Sequence, residues 1–411
     1  MKIIKEVNLN FNSEYLLKLL RIFANHDVKA RVVGGAVRDA LIGIQTNDID
    51  IAVSTNPVET TGILEASGFK VVKTGIEHGT VTVLAPNEAF EVTTLRKDVK
   101  TFGRKAIVEF TDDFEEDATR RDFTINAMSY DCLSLELYDY FGGLDDLNQK
   151  RVRFIGDPIM RIQEDYLRIL RFFRFSTYYS ASLDAEGLKS CKDNVHNLKI
   201  LSKERINKEL SKILSCPKDI SLIIASMNEI KIFEVIASEF ALDITGIINL
   251  ENRLWTNVSF TELNVNLMLL RLSFLIFLLG KAEGVKFLEF MKYSTSQINA
   301  FKIIISFTDE IVELQKKSNI YFEISKAWYY HTEYVGYFLL IAYILDKISI
   351  EELDVFKAKT QTLPPKLPVL AEEITNQGFT GAALGIRKKY LEKEWIRSGF
   401  SITKEELLKL K

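Results

Sequence analysis

The chain has 411 residues, 47% hydrophobic and 27% charged, which is enough apolar material for about two to four domains and excludes a disordered chain. Seven prolines and 20 glycines exclude collagen and low-complexity linkers, and three cysteines (Cys132, Cys191, Cys216) without CxxC spacing exclude a disulfide framework and a cysteine zinc site. A net charge of -3 argues against a uniformly basic nucleic-acid binder; with no apolar run of about 18 residues and no leader-like start, a cytoplasmic protein is expected.

Helical spacing of Leu16, Leu17, Leu19, Leu20, Ile22 and Phe23 predicts an N-terminal helix. A strand at Ala30–Val33 then runs through Gly34-Gly35 into a helix over Ala36–Leu41, and Ile49–Val53 alternates as a strand. The β pattern continues at 71–73, 79–84 and 90–94. Residues 115–128 read as a helix, and 135–154 as a hairpin or turn around Gly142-Gly143. Beyond Asp157-Pro158 the chain reads as helical: no proline and only four glycines occur from Lys218 to Leu363. The apolar stretch Leu267–Leu279 is too short to span a bilayer and predicts a buried helix. Pro364, Pro365 and Pro368 mark a break before a smaller helical tail.

A glycine pair between strand and helix lets a backbone approach phosphate, the helix N-terminus attracts an anion, and Arg38 adds a charge-assisted contact. Taken alone such a pair is only a turn. Asp48-Ile49-Asp50 follows on the next strand, where alternation places two carboxylates on one face about 7 Å apart. Such a pair suits a hard divalent cation and substrate phosphates, and Glu91 is a candidate third carboxylate on a neighbouring strand. In Arg120-Arg121-Asp122-Phe123-Thr124-Ile125-Asn126-Ala127-Met128, Arg121 suits a triphosphate, while Asp122 and Asn126, four apart on the expected helix, suit ribose hydroxyls. From Arg151 to Phe175 six arginines face three acids, and a three-residue step in Glu164-Asp165-Tyr166-Leu167-Arg168 and beyond puts Asp165, Arg168, Arg171 and Arg174 on one stripe. A carboxylate beside a guanidinium fits the donor-next-to-acceptor edge of cytosine and adenine. Three arginines facing one way are expected to repel unless an anion joins them.

These motifs, in this order over about the first 215 residues, resemble the bacterial class II tRNA nucleotidyltransferases: the CCA-adding enzymes and their poly(A) polymerase relatives. The resemblance implies an α+β chain with an N-terminal DNA polymerase β-like palm followed by an all-α neck, body and tail. The expected divisions are head 1–150, neck 151–215, body 216–363 and tail 364–411. It further implies Mg²⁺ on Asp48 and Asp50, triphosphate contacts from Gly34, Gly35, Arg38 and Arg121, and ribose contacts from Asp122 and Asn126. Asp165 and Arg168 are implied to template CTP or ATP without nucleic acid, with Arg171 and Arg174 on the incoming nucleotide. A mobile loop, Leu95–Ile107 with Arg104 and Lys105, is implied to assist the switch from C to A. Its plain reading is a solvated basic hairpin.

The tail run from Gly378 to Phe400 resembles tails of some bacterial members, and eight Lys or Arg against four Glu in residues 386–411 suit tRNA phosphates. With four histidines and His26-Asp27 expected at the surface, no HD-type phosphohydrolase is expected. The expected partners are tRNA, CTP and ATP, with no membrane. Poly(A) polymerase, a CC-only or A-only enzyme, and a catalytically inactive tRNA-binding module remain open as alternatives, as does a transferase acting on a protein or small molecule.

Overall fold

The computed structural model describes residues 1–46, 48–76, 79–102, 105–257, 263–314 and 317–410. It divides into two compact units, one of Met1–Leu201 with Ile230–Val235, the other of Ser202–Glu229 with Ile236–Lys411.

The first unit opens with β1 (Lys2–Ile4), α1 (Glu14–Asn25), β2 (Ala30–Val33), α2 (Gly35–Leu41), β3 (Ile49–Val53) and α3 (Pro57–Ala66). Next come β4 (Lys70–Gly75), β5 (Thr80–Ala85), β6 (Glu88–Thr94), β7 (Arg96–Phe102), β8 (Lys105–Phe110) and α4 (Phe114–Thr119). After a 3₁₀ turn at Thr124–Asn126 follow β9 (Ser129–Asp131), β10 (Glu136–Asp139), α5 (Gly143–Asn148), α6 (Pro158–Glu164), α7 (Leu167–Tyr179) and α8 (Ala185–Asn194). Eight strands form one sheet in the order β1-β10-β9-β2-β3-β6-β5-β4, in which only β3 and β6 pair in parallel. The remaining two, β7 and β8, form a separate antiparallel ribbon. Local chemistry sets the helix starts: the Ser13 hydroxyl accepts from Leu16 N at 3.1 Å, and Asn56 caps α3 with Pro57 at its first position. The apolar spacing of α1 then buries Leu16, Leu19, Leu20 and Phe23.

The helix expected over 115–128 is not continuous. It ends at Thr119; Phe123 is extended and bridges Phe154, and Thr124 N donates to Arg153 O at 3.0 Å. The β-branched Thr124 and Ile125 favour this exit from the helix, and backbone pairing with residues 153–155 replaces the lost helical bonds. The stretch 135–154 is not a hairpin around Gly142-Gly143: it carries β10, whose partner β9 precedes it, and Gly142-Gly143 begin the helix α5.

The second unit is helical: α9 (Lys203–Leu214), α10 (Ser221–Glu229), α11 (Ile232–Ile236, most of it in the first unit), α12 (Ile244–Asn257), α13 (Leu267–Leu275), α14 (Gly280–Phe290), α15 (Thr295–Glu313), α16 (Lys317–Tyr330), α17 (Val335–Ile344), α18 (Ile350–Thr360), α19 (Ala371–Asn376), α20 (Gly381–Arg397) and α21 (Lys404–Lys409). Within it α13 and α17 are buried, as the apolar stretch at 267 predicts. A fully buried Arg271–Glu251 pair sits beside them: Nε reaches Oε1 at 2.7 Å, and the guanidinium also donates to the carbonyls of Leu214, Cys216 and Lys218. The tail helices close over Val369, Ile374, Leu391, Trp395 and Leu407. Among the described residues no helix is long and apolar enough to cross a membrane.

Candidate active site

The carboxylates stand where β3 and β6 run side by side. Asp50 on β3 is the register partner of Glu91 on β6, so the two share a face of the sheet. Asp48 precedes the strand by one residue and is exposed. Burial, together with the negative charges of Asp48 and Glu91, pushes the Asp50 carboxyl up to about 6, although Arg121 pulls the other way. A crowd of like charges of this kind fits a divalent cation, which would relieve the repulsion. Among the described residues no three His, Cys, Asp or Glu groups converge as a ready-made cage, so phosphate or water oxygens would complete the coordination of any ion held there. A cleft of about 1270 Å³ reaches Asp48 and Glu91 past Ser13, Thr46, Thr82 and Asn87; Gly34, Arg38 and Arg121 lie outside its walls.

The turn from β2 into α2 carries the cationic side of the site. Gly34 has φ +71°, a backbone that favours glycine, and a Cβ there would stand 2.5 Å from Arg121 Nη1 and displace that guanidinium. The buried Arg38 donates through Nε and Nη2 to the Asp39 carboxylate, each at 2.9 Å, and through Nη1 to Asn126 Oδ1. A Cβ on Gly35 would stand 3.4 Å from Arg38 Nη2. Arg121 is held by Asp117 Oδ2 at 3.2 Å and by the Asn126 carbonyl at 3.3 Å. Asp122 and Asn126 do not share an α-helical face as expected. They meet because the 3₁₀ turn folds back, with Asn126 Nδ2 donating to Asp122 Oδ1 at 3.1 Å.

The arginine stripe is also rearranged. Asp165 lies off the helix, extended between α6 and α7, with its Oδ1 accepting from Leu167 N at 3.1 Å. Glu164 ion-pairs with Arg168, and Asp122 accepts from Arg171 Nε at 2.6 Å. The expected repulsion is therefore answered by the protein's own carboxylates. Arg174 is buried, its guanidinium 4.3 Å from the Phe175 ring. Sequence reasoning gave no place to Arg161, which donates through Nη2 to the carbonyls of Arg120 (2.6 Å) and Arg121 (2.5 Å) and pairs with Glu164. It also passed over Asp117, which gathers both Arg120 and Arg121. The spacing of Asp117 three and four residues before that arginine pair was the available signal. The loop expected at 95–107 is the backbone ribbon β7–β8, with Lys105 opening β8. Arg104 lies outside the described residues.

Residues 30–153 match the family model for the poly A polymerase head domain, and residues 182–243 match that for the probable RNA and SrmB-binding site of polymerase A. The CCA tRNA nucleotidyltransferase 1, mitochondrial, of Danio rerio is 45% identical over 203 residues, 48% of this chain and 47% of the relative. The CCA-adding enzyme of Bacillus pumilus (strain SAFR-032) is 38% identical over 217 residues, 52% of this chain and 53% of the relative. Over its first half the chain is therefore similar to the CCA-adding enzymes and poly(A) polymerases. It spans about half the length of the curated relatives it matches. A likeness of fold extends over nearly the whole chain: the crystal structure of the Bacillus stearothermophilus CCA-adding enzyme in complex with CTP superposes with a TM-score of 0.74, 23% identity and coverage of 96% and 95% of the two chains. This establishes the α+β class, a mixed-sheet N-terminal unit followed by helices.

Proposed function

We propose that the protein is a CCA-adding tRNA nucleotidyltransferase that extends the tRNA 3′ end with C, C and A from CTP and ATP, using Mg²⁺ and no nucleic-acid template. The observation that carries this reading is the pairing of Asp50 with Glu91, with Asp48 adjacent and Arg121 within electrostatic reach. The match to relatives named for CCA addition supports it. In this reading residues 1–150 are the head, 151–215 the neck, 216–363 the body and 364–411 a tRNA-holding tail. Cys132, Cys191 and Cys216 are buried thiols outside any disulfide, which supports a reducing compartment that we take to be the cytoplasm.

Asp48 and Asp50 would hold the cation, with Glu91 on the neighbouring strand as the candidate third catalytic carboxylate. Magnesium supplies, when bound, charge stabilisation for the attacking 3′-oxygen and the departing pyrophosphate. Arg121, fixed by Asp117, and the Gly34–Gly35 backbone bind the triphosphate, and Arg38 is presented beside them. Asp122, which Arg171 and Asn126 hold, meets the ribose in this reading. Asp165 and Arg168 meet the base edge, with Arg171 and Arg174 beside the nucleotide, and the β7–β8 ribbon with Arg104 and Lys105 assists the change to ATP.

The test is incorporation by the purified chain on tRNA transcripts ending before CCA, after C and after CC, each given CTP, ATP or both. Addition of CCA followed by arrest is expected, and Asp50→Ala is expected to lower the rate at least about 10³-fold with its melting curve retained. A long A tract, or CC alone, would transfer the assignment to poly(A) polymerase or a partial enzyme. Tight tRNA binding without incorporation would identify a noncatalytic module.

A further inference from the structure

The helix α7 is fastened to the sheet side of the first unit at three places. Near its start, Arg168 Nη2 donates to the Arg120 carbonyl at 3.3 Å; one turn later, Arg171 grips Asp122. The third tie lies at the opposite end, about 17 Å along the helix axis. There the Tyr179 hydroxyl donates to Asp39 Oδ1 at 2.8 Å, the same oxygen that accepts from Arg38 Nε. The Tyr179 ring also covers the Arg38 guanidinium, with its centroid 4.1 Å from Cζ, while Phe175 lies at 5.3 Å.

We propose that Tyr179 is a positioning residue for nucleotide binding: its ring and hydroxyl together hold the Arg38–Asp39 pair so that Arg38 is presented at the Gly34–Gly35 turn. The inference rests on the triphosphate assignment made above for that turn. A tyrosine serving only as packing needs no partner for its hydroxyl on the counter-ion of the arginine it covers; here one side chain acts on both members of the ion pair. Cation–π contact fixes the plane of the guanidinium, and the hydroxyl fixes the carboxylate that sets its rotation. Burial keeps the hydroxyl far above the usual tyrosine range, so it stays a donor throughout the pH range in which the enzyme works. Asn126 closes the opposite side through Nη1, leaving the guanidinium little freedom to turn.

The experiment compares the full chain with Tyr179→Phe and Tyr179→Leu in steady-state incorporation of CTP and of ATP, and in calorimetric nucleotide binding without tRNA. Tyr179→Phe keeps the ring and loses the hydroxyl, so a rise of about 2- to 5-fold in KM and Kd for both nucleotides is expected. Tyr179→Leu loses both contacts, and a rise of about 10-fold or more is expected, with kcat within about twofold of wild type. Unchanged KM and Kd in both variants, or a fall in kcat alone, overturns the inference. Should Tyr179→Leu fail to fold, Tyr179→Phe decides the question through the same KM-against-kcat split. A wild-type chain that binds or incorporates no nucleotide instead overturns the functional reading above.

Discussion

At the scale of single residues, Asp117 holds two arginines of the candidate site in place. Its buried carboxylate accepts from Arg120 Nε at 2.8 Å, from Arg121 Nη2 at 3.2 Å and from Arg96 N at 3.3 Å. Burial alone would raise its carboxyl, but Arg121 and then Arg120 outweigh that and hold it below the usual carboxylate range. Asp122 is lowered in the same way, with Arg171 overcoming its burial. A carboxyl lowered on folding stabilises the protein fully above the unfolded value of about 4, and that stabilisation is lost as pH falls from there through the folded value. Asp117→Asn should therefore cost about 2 kcal/mol at pH 7, and the gap to wild type should narrow below about pH 4. Urea unfolding at pH 7 and pH 3.5 measures both; a gap independent of pH contradicts the charge argument.

At the scale of elements, what the sequence discloses follows from how local the cause is. Strands β2, β3, β5 and β6 were legible because a β pattern is a property of neighbours, and α1 because its apolar spacing is. The break in the helix at residue 119 was not legible, because its cause is the backbone of residues 153–155 about thirty positions later. The Arg171–Asp122 pair, 49 residues apart in sequence, escaped for the same reason, although both residues had been singled out separately. The Arg271–Glu251 pair between α12 and α13 left no sequence signal at all. Removing its carboxylate strands a charge with no access to solvent, so Glu251→Ala should lose about 3–5 kcal/mol, read by calorimetry. An E251M/R271M double variant should not recover, because the carbonyls of Leu214, Cys216 and Lys218 would lose their donor. Full recovery would reduce this cluster to a replaceable ion pair.

At the scale of the whole molecule, a net charge of -3 hides where RNA would be held. The basic excess counted in the tail is smaller than its sequence suggests. Arg387 is buried and donates to the Leu410 carbonyl, Arg397 pairs with Glu394, and Lys404 pairs with Glu373. Lys388, Lys389 and Lys393 remain exposed on α20, a helix whose other side anchors Leu391 and Trp395 in the tail core. Replacing these three lysines by alanine should leave the melting temperature unchanged while weakening tRNA binding about tenfold at low salt. If each meets one phosphate, the slope of log affinity against log salt falls by about two to three, since each neutralised phosphate releases most of one counterion. Under the proposed function, turnover on a short acceptor-stem substrate should stay at the wild-type rate, because these lysines belong to the second unit and the candidate carboxylates Asp48, Asp50 and Glu91 to the first. A salt slope equal to that of wild type would remove α20 from the RNA-binding surface and leave the tail a purely structural cap on α16.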